Sequence, residues 1–173
     1  MNLLRKIKDI YKNDIDMVAK ADKKVITLAA PCDGNIYLLS QSKDQMFREE
    51  VLGKGCFIYP ESEIICSPIK GKIVALFPTN HAIGIEGQNG ENVLLHVGIN
   101  TIEMNGEGFY SFVNKGDLVE SGDKLLSVDI KTVIKKGYIP DVYIIITNVD
   151  KFNVLPICTR KVHSGDELFK ISY

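Results

Sequence analysis

The 173 residues, 45% apolar and with a formal net charge of −1, suffice for one domain with a core of its own, and near-neutrality without a long basic run excludes a nucleic-acid binder. No unbroken apolar run is longer than that of Val142 to Ile146, far below the roughly 20 residues that cross a bilayer, and no signal-peptide core follows Met1. Cys32, Cys56, Cys66 and Cys158 stand apart with no CxxC pair, which excludes a zinc knuckle and a thioredoxin-like redox site and reads as four reduced, buried thiols in a cytoplasmic protein.

The first element is LLRKIKDIY, in which Leu3, Leu4, Ile7, Ile10 and Tyr11 recur at helical spacing among Arg5, Lys6, Lys8 and Lys12. This is the pattern of a short basic amphipathic helix. Residues 3–12 suit weak contact with an anionic membrane surface, and equally a helix packed on the domain or frayed in solution, because so short a helix is marginal alone. Residues 13–24 are mostly polar and read as a linker. The chain thus divides into a helix and linker, 1–24, and a domain, 25–173.

From Val25 onward, short β-branched runs alternate with Gly, Pro, Asn and Asp: VITLAA, NIYLL, CFIY, EIIC, KIVALF, HAIGIE, NVLLHV, KLLSVD, VYIIIT and ELFKI. That pattern predicts an all-β sandwich or barrel, interrupted by a turn or two of helix over Ile130 to Lys136. Two echoes suggest similar halves about a shared core. Ala30-Pro31-Cys32-Asp33-Gly34 returns as Ser67-Pro68-Ile69-Lys70-Gly71 thirty-seven positions later, and the Gly-Asp turns of Lys115 to Asp123, Gly116-Asp117 and Gly122-Asp123, are echoed at Gly165-Asp166 within Ser164 to Leu168, before an apolar strand each time. Proline presets φ for such turns and glycine permits them.

Two of the three histidines, His81 and His96, flank Asn89-Gly90, the strongest short-range hairpin signal. A two-residue loop pairs Gln88 with Glu91, sets Ile83 opposite His96 and His81 opposite Gly98, and puts both imidazoles on one face as diagonal neighbours. A three-residue loop would place them on opposite faces. With Gly98 across from His81, the paired rings lie beside a patch that no side chain covers, which invites a ligand.

Two histidines fall short of a zinc site, which takes three or four protein ligands, and His163 has no HxH or HExxH partner. No GxSxG elbow accompanies the pair either. Histidine is itself a nucleophile whose phosphoryl adduct stays reactive, because a ring nitrogen leaves readily. A second imidazole then has a role, donating a hydrogen bond as charge develops on the phosphoryl oxygens.

Three segments carry a family resemblance: Thr79-Asn80-His81-Ala82-Ile83-Gly84-Ile85-Glu86, Leu95-His96-Val97-Gly98-Ile99-Asn100-Thr101 and Glu103-Met104-Asn105-Gly106-Glu107-Gly108-Phe109. With APxxG at Ala30, Phe47 to Gly55, SPxxG at Ser67 and the Gly-Asp turns, the chain from about Val25 to Lys170 resembles the glucose-type enzyme IIA component of the bacterial phosphoenolpyruvate-dependent sugar phosphotransferase system. The resemblance implies an antiparallel β-sandwich or flattened barrel of duplicated halves, of the duplicated hybrid motif type. It implies a cytoplasmic phosphocarrier that takes a phosphoryl group from the carrier protein HPr and passes it to a cysteine of a membrane-associated IIB domain; a monomer with no cofactor and no metal site of its own is expected, and whether a metal binds between His81 and His96 in a complex is left open. His96 would be the acceptor through Nε2, its Nδ1 held by the Gly98 carbonyl, while His81 stabilises the phosphoryl oxygens and Thr79 orients His81. Phe47, Leu52, Phe77, Leu94 and Ile102 match the apolar docking rim, and Asp44 an acidic position that meets an arginine of HPr.

Each rim residue also has a plain packing role open to it. Phe47, set among Asp44, Gln45, Arg48 and Glu49, is the strongest expectation for an exposed anchor. The chain departs from the family pattern at Asn100, where aspartate is frequent, and at Gln45, where an apolar residue is expected. Two other classes remain: a zinc peptidase on a related duplicated β-fold, which needs a third ligand beside His81 and His96, and a biotinyl or lipoyl carrier, which needs Lys70 at an exposed hairpin tip.

Overall fold

The computed structural model describes residues 24–173; the helix and linker expected over the first residues lie outside that range. Among the described residues there are fourteen strands: β1 (Val25–Ala29), β2 (Gly34–Leu38), β3 (Lys54–Pro60), β4 (Ile64–Cys66), β5 (Gly71–Leu76), β6 (Ala82–Gly87), β7 (Asn92–Ile99), β8 (Phe109–Ser111), β9 (Leu118–Val119), β10 (Lys124–Val128), β11 (Ile139–Ile146), β12 (Asn153–Val154), β13 (Lys161–Val162) and β14 (Glu167–Ser172). Two short helices accompany them, α1 (Gln45–Arg48) and α2 (Ile130–Lys135), with 3-10 turns at Leu39–Gln41 and Thr101–Met104. All ten apolar runs of the sequence are strands, and the interruption at Ile130 is α2. The sequence pattern did not announce α1, a single turn whose N-terminus is held by the Asp44 side chain.

Every strand pair is antiparallel, in one eight-stranded sheet, β13-β2-β3-β11-β7-β6-β5-β9, and two three-stranded sheets, β1-β14-β12 and β4-β10-β8. The architecture is a β-sandwich. The large sheet ends in the two-residue edge strands β13 and β9, so the flattened-barrel alternative is corrected: the sheet does not close.

The sequence echoes are a structural pseudo-twofold. Leu28 pairs with Phe169 as Ile65 pairs with Leu126, and Asn35 pairs with Lys161 as Lys72 pairs with Leu118. The Ala30 N–H donates to the Asp166 carbonyl (2.7 Å) and Gly165 N–H to Ala30 (2.9 Å), while Ser67 N–H donates to Asp123 (2.8 Å) and Gly122 N–H to Ser67 (2.8 Å). The two Pro-x-x-Gly copies also bond to each other, Ala29 N–H to Pro68 (2.9 Å) and Cys66 N–H to Pro31 (2.7 Å). Each prolyl turn therefore anchors its own Gly-Asp turn, and the axis passes between β7 and β11 at the centre of the large sheet.

One core cluster draws side chains from all three sheets, including Val93, Leu95 and Val97 of β7 and Val142, Ile144 and Ile146 of β11. A second, smaller cluster of Leu39, Phe57, Tyr143, Ile145 and Phe47 lies on the opposite face of the large sheet, beneath the segment that joins β2 to β3. β11 is consequently buried on both faces. That is why VYIII reads as an unbroken apolar run rather than an alternating one. Of the four cysteines, all free, only Cys32 and Cys56 are buried; Cys66 is half-buried and Cys158 exposed, which corrects the expectation of four buried thiols.

Candidate functional site

His96 sits in β7 between Ala82 of β6 and Tyr143 of β11. Its odd-numbered neighbours face the main core, so the imidazole points to the other face of the sheet. The register differs from the expected one by a residue. Ile83 pairs with Leu95 and Ala82 with His96, because Gly87 and Glu91 close a three-residue loop, Gly87 N–H donating to Glu91 (2.8 Å) with Gly90 at φ 87°.

By strand parity alone that register separates the two rings, yet their centroids lie 5.0 Å apart, at 88°. The reason is that His81 precedes β6. It follows a turn in which Asn80 N–H donates to Phe77 (2.8 Å) and Asn80 takes φ 55°, so its side chain is free of the pleat while its carbonyl still accepts Val97 N–H (2.8 Å). Ala82, small and directly opposite His96, leaves room for the second ring.

His81 is only 4% exposed, and its Nδ1 lies 2.5 Å from Thr79 Oγ1. His96 is half-buried, and its own Nδ1 is a buried atom without a hydrogen-bond partner. Burial, then the neighbouring His81, hold the His96 imidazole down to about 4, while Asp44 and the Gly98 backbone pull the other way. The Gly98 carbonyl thus favours a proton on the ring without reaching full bonding geometry. Burial lowers His81 as well. Both rings are neutral at physiological pH.

Gly98 does not lie bare across from His81, which corrects the expectation of an open patch there. It is buried with φ 82°, and a side chain would collide with Thr101. Thr101 is itself buried, its hydroxyl donating to the Val97 carbonyl. Gly98 is therefore required by a close approach, and the next residue but one, Asn100, takes φ 60° at the start of the 3-10 turn. Asparagine is among the few residues that tolerate that conformation, which gives a local reason for its presence there.

The two histidines open into a cleft of about 210 Å³ lined by Asp44, Met46, Phe47, Leu52, Ile99, Asn100, Thr101 and Ile102. Asp44 caps α1, accepting Met46 N–H (2.8 Å) and Phe47 N–H (3.2 Å). Among the described residues no group of three or more His, Cys, Asp or Glu side chains could hold a metal, so nothing supplies the third ligand of a zinc peptidase, and His163 is exposed in the turn before β14. Lys70 forms a 2.6 Å ion pair with Glu120. A neutral imidazole with a second beside it, in a small cleft, suits group transfer through nitrogen.

The family model for the phosphoenolpyruvate-dependent sugar phosphotransferase system, EIIA 1, matches residues 26–152. The chain belongs to this family. It is 36% identical over 153 residues to a glucose-specific EIIA component of Oceanobacillus iheyensis, covering 88% of this chain and 91% of that protein. It is also 36% identical over 128 residues to a beta-glucoside-specific EIIBCA component of Bacillus subtilis, 74% of this chain but only 21% of that longer protein. The solved glucose permease IIA from Mycoplasma capricolum superposes with a TM-score of 0.81 at 40% identity, covering 85% of this chain and 96% of that one. As an EIIA family member the chain is a phosphocarrier in sugar uptake, and its activity is phosphoryl transfer.

The expected EIIA site residues fall into three groups. His81, His96, Thr79 and Gly98 come together as described. Asp44, Leu52, Asn100 and Ile102 line the cleft, and Phe77 stands beyond it, 41% exposed, with its ring 5.5 Å from His81. Leu94 does not line the cleft; it packs half-buried against the second cluster.

Phe47 is the main correction to the rim. It is 5% exposed, stacked on Tyr143 at 3.8 Å and 10°, with its edge to His96 at 5.2 Å. Its polar neighbours belong to one turn of helix whose inner side is apolar, so a short helix disguises a buried residue. The exposed apolar side chain of that turn is Met46, which the sequence reading missed. The helical offset from Phe47 was the available signal.

Proposed function

We propose that His96 accepts a phosphoryl group through Nε2 from the phosphohistidine of HPr and passes it to a cysteine of a IIB domain, with the chain acting as a cytoplasmic monomer. The observation that carries this reading is the neutral, desolvated His96 beside His81 at the floor of an open cleft. Because Nδ1 is the buried nitrogen, Nε2 is the one a partner can reach. It attacks phosphorus with its lone pair while the donor's P–N bond breaks and its electron pair returns to the donor ring. The proton on Nδ1, drawn toward the Gly98 carbonyl, compensates the developing positive charge.

His81 serves the charge that spreads over the phosphoryl oxygens in a loose transition state. With the Thr79 hydroxyl donating to its Nδ1, its Nε2 carries the proton and can donate to an oxygen. Asp44, Leu52, Phe77, Leu94, Asn100 and Ile102, with Met46, form the face on which HPr and IIB dock, an apolar ring with an acidic edge. The fused EIIBCA relative carries a IIB portion in the same polypeptide, which supports a IIB partner here. The basic segment 3–12 makes a weak contact with anionic membrane; deleting residues 1–18 should abolish binding to anionic vesicles and leave phosphorylation unchanged.

Incubation with phosphoenolpyruvate, enzyme I and HPr, followed by intact mass measurement, should show a single acid-labile phosphoryl adduct that is absent in His96→Ala. An adduct that survives the substitution would refute the assignment.

A further inference from the structure

Tyr143 stands directly beside His96 in the β7–β11 register, has no exposed surface, and takes no part in the chemistry above. Burial raises its phenol further above the ordinary range, so it remains a hydroxyl. A buried hydroxyl is costly unless it is bonded. This one has two partners, Ser42 Oγ at 2.8 Å and Asp141 Oδ2 at 3.5 Å.

Those bonds lead back to the site. Ser42 Oγ also accepts the Asp44 N–H at 3.1 Å, and Asp44 caps the turn that carries Phe47. The Phe47 ring then returns to stack on the Tyr143 ring. One side chain therefore grips the same short segment twice, by its hydroxyl at Ser42 and by its ring at Phe47. It does not touch His96 closely; their centroids are 6.3 Å apart, whereas Phe47 is at 5.2 Å. His96 has no full hydrogen bond at Nδ1, so packing joins the pull of the Gly98 carbonyl in setting the orientation of its ring.

We propose that Tyr143 is a positioning residue for the phosphoacceptor, pinning the 42–47 segment so that Phe47 walls the His96 ring and Asp44 faces it. The inference rests on His96 being the acceptor. The hydroxyl bond and the ring stack act on one segment, so losing either loosens what the other holds. A phenylalanine would keep the stack and lose the tether, and a leucine would lose both.

The test measures phosphoryl uptake from phospho-HPr together with imidazole nitrogen NMR of His96 in the unphosphorylated full-length protein. Tyr143→Leu should slow uptake at least tenfold and change the tautomer balance and titration of His96. Tyr143→Phe and Ser42→Ala should each slow uptake about threefold, and the double variant should be slowed by less than the product of the two effects, since both remove the shared Ser42–Tyr143 bond while each also loses a bond of its own, Tyr143 to Asp141 and Ser42 to the Asp44 N–H. Asp44 and Phe47 signals should broaden together in both.

The proposal is overturned if folded Tyr143→Leu takes up phosphate at the wild-type rate with unchanged His96 signals. It is equally overturned if the Ser42 and Tyr143→Phe effects are absent or simply additive, a result that stands even if the leucine variant does not fold. Should wild type accept no phosphoryl group, the acceptor reading fails by itself, and the NMR arm still reports whether Tyr143 orients the ring.

Discussion

The two connections related by the pseudo-twofold, residues 39–53 between β2 and β3 and residues 77–81 between β5 and β6, have diverged in opposite directions. The short one is a tight turn that delivers His81 beside the sheet. The long one folds back over the outer face of the sheet, buries Phe57, Tyr143 and Ile145, and supplies Asp44, Phe47 and Leu52 to the cleft. The strand positions beneath them differ in step. Ala82 pairs with His96 in one half, and Gly55 pairs with Ile145 at the equivalent place in the other. A duplicated framework gives two equal positions on the sheet, and what covers each decides whether it holds an apolar plug or an imidazole open to a cleft.

The largest expected effect exchanges those fates. His96→Ala should abolish phosphoryl uptake and shift thermal unfolding by only a few degrees, as the residue is half-buried. Ile145→Ala should do the reverse: a loss of about 2–5 kcal/mol from a fully buried site, seen as a midpoint lowered on the order of 5–15 °C, with the acid-labile adduct still formed. If folded Ile145→Ala takes up no phosphate, the two positions are not separable in this way.

Next in size is His81, the contribution of the short connection. His81→Ala should still be phosphorylated, but onward transfer to IIB should fall on the order of 100-fold, as for loss of one preorganised donor. Thr79→Val should show a weaker form of the same defect. Single-turnover assays of the two half-reactions check this, and an equal loss in both would make His81 a packing residue.

A third expectation concerns pH and sets the cleft against the buried carboxyl of the β11 bulge. The His96 imidazole is lowered from 6.5 to about 4, so the stability it contributes is full above pH 6.5 and is lost as the pH falls toward 4. Burial raises Asp141 from 3.8 to about 6, with Tyr143 and Lys43 opposing, so its contribution is full in acid and is lost as the pH rises through 6. The slopes oppose between pH 4 and 6, and the wild-type unfolding midpoint should be nearly flat there. Asp141→Asn should raise the midpoint at pH 7, by on the order of 1–3 kcal/mol in stability, and expose the imidazole slope as a midpoint that falls from pH 6.5 to 4. Calorimetry across that range decides it; an unchanged flat profile would mean that Asp141 does not titrate as stated.

The smallest effect lies at the rim. Asn100→Asp should raise the rate of uptake from HPr about twofold at low salt, with the gain fading above physiological ionic strength as screening shortens the reach of the charge. A loss of rate that ignores salt would instead place this side chain against the phosphoryl group.

Much of this was legible in the chain because it is written locally. The ten strands follow from β-branched runs between turn residues, and the duplication from Pro-x-x-Gly and Gly-Asp turns that later prove to bond each other. The pairing of His81 with His96 was also legible, though through the wrong register. Asn89-Gly90 is compatible with loops of two or three residues, and only the Gly87–Glu91 closure selects between them. The expected separation of the rings then failed to occur because His81 stands in a turn, where strand alternation does not apply.

By itself, then, the sequence determined which segments are strands, that the domain is doubled, which family it joins and which two imidazoles come together, since periodicity, turn residues and motif spacing act over a few positions. The tertiary structure alone decided that Phe47 is inside, that Met46 faces out, that Gly98 yields to Thr101, and that Tyr143 reaches Ser42 a hundred and one positions away. Burial and bonding of that kind depend on which segment covers which face of the sheet, and no local pattern encodes it.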